Sequence, residues 1–200
     1  MNPGTGTHPP KHIESRRTVL ITGASAGIGE AFAEKYAAER FDLVITARRE
    51  DRLRKLAERL AREHGVRVRV IVQDLAHPDA PSRLCEQISA ESLTIDVLVN
   101  NAGYGIPGSY LTSPWEHHAA QMQVMITATA ELTHRLLPAM VARGYGRIIN
   151  VASLAALVPA PAGHTLYAAC KASSSSSPSR WPTKWASSAS TSRRSVPASR

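Results

Sequence analysis

Cysteine is scarce: the 200 residues include two, Cys85 and Cys170, each without a cysteine neighbour. That excludes a disulfide-stapled scaffold and the paired spacing of a structural zinc site, and no metal is expected. No apolar run is long enough to cross a bilayer, so no membrane partner is expected. Met1 to Arg17 lacks the apolar core of a secretory signal, and a cytoplasmic setting is the default expectation. Acidic residues are outnumbered, 16 against 24 Lys and Arg. The imbalance is local, because residues 173–200 contain Arg180, Lys184, Arg193, Arg194 and Arg200 and no acid. A basic tail without an ordered platform is no nucleic-acid-binding face, although Trp181 and Trp185 are base-stacking types. Nucleic acid is not an expected partner.

What is present is a glycine-rich turn between an apolar run and an amphipathic segment. Residues 18–29 read Thr-Val-Leu-Ile-Thr-Gly-Ala-Ser-Ala-Gly-Ile-Gly. This predicts a buried strand, a tight loop and a helix start. Gly23 permits the turn, Gly27 a close backbone approach, and Gly29 close packing of helix on strand. Exposed N–H groups at such a helix start suit an anion, and the ligand this context favours is the pyrophosphate of a dinucleotide.

Onward, strand and helix patterns alternate. A helix is predicted from Gly27 to about Arg40, with Ile28, Phe32 and Tyr36 as its buried stripe and Ala33 and Ala37 as further candidates. A strand over Asp42 to Ala47 follows. The helix over Glu50 to His64 turns Leu53, Leu56 and Leu60 inward and ends at Gly65. Further strands are predicted over Val66 to Val72, Asp96 to Asn100 and Gly146 to Val151. Helices are predicted over Pro78 to Ala90 and, as one long element bent or broken by Pro138, over Pro114 to Val141. This order predicts an α/β fold, a Rossmann-like doubly wound parallel sheet with helices on both faces.

Four motifs in order make the chain resemble the short-chain dehydrogenase/reductase family over about Arg17 to Ala172. Thr22-Gly23-Ala24-Ser25-Ala26-Gly27-Ile28-Gly29 matches its TGxxxGIG pattern, Asn100-Asn101-Ala102-Gly103 its NNAG, Tyr167 to Lys171 its YxxxK, and Ser153 its upstream serine. The resemblance implies cofactor binding by Gly23, Ser25, Ala26, Gly27, Ile28 and Gly29, by Asp74 and Leu75 near the adenine, and by Asn101, Ala102 and Gly103. It implies catalysis by Ser153, Tyr167 and Lys171, the last two also touching cofactor. A small-molecule carbonyl or alcohol is the implied substrate.

The roles follow from the chemistry. Carbonyl reduction needs a hydride from the nicotinamide and a proton at oxygen, which Tyr167 would deliver. An ordinary phenol keeps its proton up to about pH 10; the ammonium of Lys171, four residues on, would favour the phenolate. Ser153 would polarise the carbonyl. At the end of the second strand Ala47-Arg48-Arg49 offers no acid to repel a 2′-phosphate, and Arg48 is suited to pair with it. NADP(H) is therefore the preferred cofactor, with NAD(H) possible, although Ser25-Ala26 puts no basic residue inside the glycine loop. Tyr104, Ile106, Leu154 and the segment around Pro161 are candidate pocket residues.

Three departures stand out. Met125 occupies the position where the family carries an asparagine serving a proton relay, and a thioether donates nothing. The Ser153-to-Tyr167 spacing is one residue longer than the family's. After Ala172, 12 of 28 residues are serine, where the family continues an apolar helix. Strands one to five are expected and strands six and seven are not, as if the reading frame had shifted. The expected layout is an N-terminal arm over 1–16, a dinucleotide-binding and catalytic domain over 17–172, and a disordered Ser/Arg-rich tail over 173–200. An edge on the fifth strand and a shortened catalytic helix argue for weak activity or poor solubility, and against carrying over the family's homo-oligomers. The alternative to an oxidoreductase is a non-catalytic dinucleotide-binding or interaction module.

Overall fold

The computed structural model describes residues 16–157 and 166–174. Five strands form one parallel sheet in the order β3-β2-β1-β4-β5: β1 (Thr18–Thr22), β2 (Asp42–Ala47), β3 (Val68–Val72), β4 (Val97–Asn100) and β5 (Arg147–Asn150). Crossover helices α1 (Gly27–Ala38), α2 (Glu50–His64) and α3 (Ala80–Ala90) join the first four. Two helices, α4 (Trp115–Met122) and α5 (Ala128–Ala142), flank a π-helical turn over Gln123–Thr127 and lead to β5. The last described helix is α6 (Tyr167–Ser174). The expected Rossmann-like class holds, and among the described residues β5 is an edge strand. The expected absence of strands six and seven, all of the expected 1–16 arm except Arg16, and most of the tail lie outside the described residues.

The sheet's central strand separates two cores. Val19 and Ile21 of β1 face one side, with Leu43, Ile45, Leu53, Leu56 and Leu60. Leu20 faces the other, with Val44, Leu84, Ile88, Leu132 and Met140. This is the period-two alternation of a strand covered on both faces. Truncating such a wholly buried leucine to alanine costs about 2–5 kcal/mol.

Two expectations are corrected. The inward residues of α1 are Gly29, Ala33 and Ala37, while Ile28 is 60% exposed and Phe32 and Tyr36 are half-buried. Small residues win that face because the helix lies very close to the strand: a Cβ on Gly29 would stand 2.3 Å from the Gly23 carbonyl oxygen. Pro138 does not break its helix, which continues to Ala142. The irregularity comes earlier, at the π turn, which buries both Val124 and Met125. Helix α2 ends as predicted, with Gly65 left-handed at φ 62° and its N–H donating to Ala61.

Candidate active site

The C-terminal ends of β1, β2 and β4 open onto a cleft of about 430 Å³. Its floor is the turn from β1 into α1. Gly23 and Gly27 there have φ of +69° and +58°, a region glycine enters freely. Ala26 precedes α1 and has no side-chain acceptor for the helix's first N–H groups, which leaves them for an anion. Gly23, Ser25, Ala26 and Ile28 line the cleft; Gly27 and Gly29 do not, and Gly29 packs against Gly23 and Asn101. Asn101 clamps the turn, its amide donating to the carbonyls of Thr22 and Gly23 at 3.0 and 3.2 Å. The Thr22 hydroxyl accepts from the N–H groups of Asn101 and Ala102, both at 3.0 Å.

One wall comes from β2 and β3. Arg48, Asp74 and Leu75 all line it. The Asp74 carboxylate accepts from the Ala76 N–H at 3.0 Å, so it also shapes its own turn. Among the described residues Arg48 is paired with no carboxylate; its guanidinium lies 5.9 Å from the centre of the Tyr104 ring. Arg49 behaves differently. Its Nε and Nη2 donate to the Ser25 hydroxyl at 3.2 and 2.9 Å. The glycine loop thus does have a basic group against it, supplied from the neighbouring strand end.

The opposite wall carries Ser153, Tyr167 and Lys171, which converge on the cleft together with Ala102 and Gly103. Ser153 Oγ accepts from the Ala155 N–H at 3.2 Å, which leaves its proton to donate. Lys171 is 6% exposed and its Nζ donates to the Val151 carbonyl at 2.6 Å; burial pushes its pKa below the ordinary lysine value. Burial raises the phenol of Tyr104, with Arg48 working the other way. Met125, 2% exposed, borders Gly103: a Cβ there would lie 3.4 Å from the Met125 thioether carbons and 3.5 Å from Lys171 Nζ.

All three catalytic candidates and twelve of the fourteen cofactor candidates therefore line one cleft. Of the pocket candidates, Tyr104 lines it, Ile106 and Leu154 do not, and the segment around Pro161 lies outside the described residues. Thr46, Gln73, Arg49, Val124 and Val151 also line it and were not singled out from the sequence. Arg49 had a signal, its place beside Arg48; Thr46 and Val124 are ordinary strand and helix residues, and Gln73 and Val151 each directly follow a strand. Among the described residues no group of three or more His, Cys, Asp or Glu could hold a metal, and no helix is long and apolar enough to cross a membrane.

Residues 17–179 match the family model described as short chain dehydrogenase. A short chain dehydrogenase of Pseudocercospora fijiensis is 35% identical over 162 residues, covering 78% of this chain and 50% of that protein. An uncharacterized oxidoreductase of Staphylococcus saprophyticus is 32% identical, covering 78% of this chain and 66% of its own length. Among solved structures, a short-chain dehydrogenase from Sphingobium yanoikuyae in complex with NADPH is 36% identical with a TM-score of 0.73, covering 78% of this chain and 60% of that one. The L-sorbose reductase from Gluconobacter frateurii, complexed with NADPH and L-sorbose, is 35% identical with a TM-score of 0.73, covering 79% and 60%. The chain thus spans about half to two thirds of the length of these relatives.

Proposed function

The chain belongs to the short-chain dehydrogenase/reductase family, and from that premise we propose that it is an NADP(H)-preferring oxidoreductase acting on a small-molecule ketone, aldehyde or secondary alcohol. The observation that carries the reading is the convergence of Ser153, Tyr167 and Lys171 on the cleft that also holds the glycine turn and Arg48.

The residues fit the cofactor. The uncapped start of α1 and the open backbone at Gly27, where a Cβ would meet nothing within 4 Å, would take the pyrophosphate. Asp74 and Leu75 would border the adenine, and Arg48, paired with no carboxylate among the described residues, would take the 2′-phosphate. Bound there, the nicotinamide would supply or accept the hydride. Ser153 donates its hydroxyl proton to the substrate oxygen and orients it. Tyr167 transfers the proton at that oxygen, and the ammonium of Lys171, four residues on in the same helix, would stabilise the phenolate left behind. The NADPH named with several similar structures supports the cofactor choice. The two cysteines are free thiols, and the proposed setting is the cytoplasm, where thiols stay reduced.

Titration of the purified chain with NADPH and NADH, followed by a panel of carbonyl compounds, tests this. Tighter binding of NADPH, lost in Arg48→Glu, is expected together with turnover of some carbonyl. Binding without turnover would favour a non-catalytic dinucleotide-binding module, and absence of binding would sink both readings.

A further inference from the structure

Two polar side chains occupy core positions on one face of α4. Gln121 is fully buried and His118 is 2% exposed. A buried amide or imidazole is costly unless it is hydrogen-bonded, and each has one partner. The Gln121 amide donates to the Tyr104 carbonyl at 2.8 Å. His118 Nε2 lies 3.2 Å from the Tyr110 carbonyl, with the two rings 4.5 Å apart. Gln121 Oε1 and His118 Nδ1 have no partner among the described residues. An apolar side chain would pack there without those orphaned atoms, so packing alone does not account for either residue.

Both bonds end on the segment after β4. Between their anchor points the chain contains Gly105, Pro107 and Gly108, the last at φ +95°. Among the described residues the Gln121 bond is the one hydrogen bond that holds residues 103–108 to the rest of the protein. It fixes the backbone directly at Tyr104, whose ring lies beneath Arg48.

We propose that Gln121 and Tyr104 are positioning residues for the 2′-phosphate: Gln121 fixes the Tyr104 backbone, and the Tyr104 ring holds the Arg48 guanidinium toward the cleft. The inference rests on the assignment of Arg48 to that phosphate. An exposed arginine loses side-chain freedom when it grips an anion, and a ring that restricts it beforehand lowers that cost. Arg49 does not substitute, because Ser25 already holds it.

The test compares adenosine 2′,5′-bisphosphate with AMP by calorimetric titration of the full chain. Wild type should prefer the bisphosphate, and Arg48→Ala should lose that preference. Tyr104→Phe, which retains the ring, should keep it. Tyr104→Leu and Gln121→Leu should narrow it about threefold, the size of a surface cation–π contact, through weaker bisphosphate binding with AMP unchanged. Should Gln121→Leu not fold, the Tyr104 pair decides the matter. Equal weakening of both probes, or an unchanged preference in Tyr104→Leu, overturns the proposal while leaving the cofactor assignment intact. Loss of all discrimination in wild type overturns the cofactor assignment as well.

Discussion

Lys171 Nζ lies 2.6 Å from the carbonyl oxygen of Val151, which ties the first turns of α6 to the residue following β5. The bond compensates in part for burying an ammonium, yet burial still lowers the lysine's pKa.

That shift makes stability depend on pH. Between the lowered native value and the ordinary 10.5, the unfolded chain binds more protons than the folded one, so stability rises with pH across that window. Below it the desolvation penalty is present in full. Lys171→Met removes the titration. Urea midpoints at pH 7 and pH 10 should show wild type gaining on the variant as the pH rises. A constant gap would contradict the burial account. Carbonyl reduction by the variant should fall by on the order of 100-fold or more.

Gly29→Ala should cost about 1–3 kcal/mol as an overpacking change. The new Cβ meets the Gly23 carbonyl oxygen at 2.3 Å and the Asn101 amide nitrogen at 2.5 Å, so the cofactor turn itself must shift. Gly27→Ala meets nothing within 4 Å and carries only the strain of φ +58°, about 1–2 kcal/mol. Denaturant unfolding with nucleotide titration should show Gly29→Ala losing stability to overpacking and binding to the shifted turn, and Gly27→Ala losing stability to strain and binding to a Cβ in the space left for the ligand's approach.

Ser92 is exposed at φ 53°, and its N–H donates to Ser89 at 2.9 Å. Ser92→Gly keeps that bond and relieves the strain, less glycine's greater unfolded-state entropy. A gain of about 0.5–1 kcal/mol is expected from thermal unfolding. Arg40, at φ 65°, should gain less from the same change, because its side chain also donates to the His64 carbonyl.

The five strands, the inward leucines of α2 and the cap at Gly65 were legible because their signals are local: period, composition and one glycine. The motifs were legible for the same reason, and the structure gathers most of their residues from the ends of strands and from the starts of α1 and α6 around one cleft. On α1 the reading failed at Ile28, while Ala33 and Ala37 are buried and Phe32 and Tyr36 pack partly buried against the core. Ile28 is as apolar as any stripe residue, but it lines the cleft and is 60% exposed. The π turn has no compositional mark, and Pro138 drew the expected break away from it. Arg49 on Ser25 and Gln121 on Tyr104 span 24 and 17 residues, and contacts of that range exist only once the sheet has assembled.

The π turn holds one residue more than a regular helical repeat would need. Helical residues advance about 100° around the axis, so the surplus residue sets the rotational phase between α4 and α5. The later half is seated on the sheet through Leu132 and Met140; the earlier half aims His118 and Gln121 at the chain after β4. Deleting any single residue of Gln123–Thr127 would leave the composition almost untouched and turn the earlier half by roughly that angle. Both side chains would swing off Tyr110 and Tyr104, uncoupling the rim of the cleft from its floor.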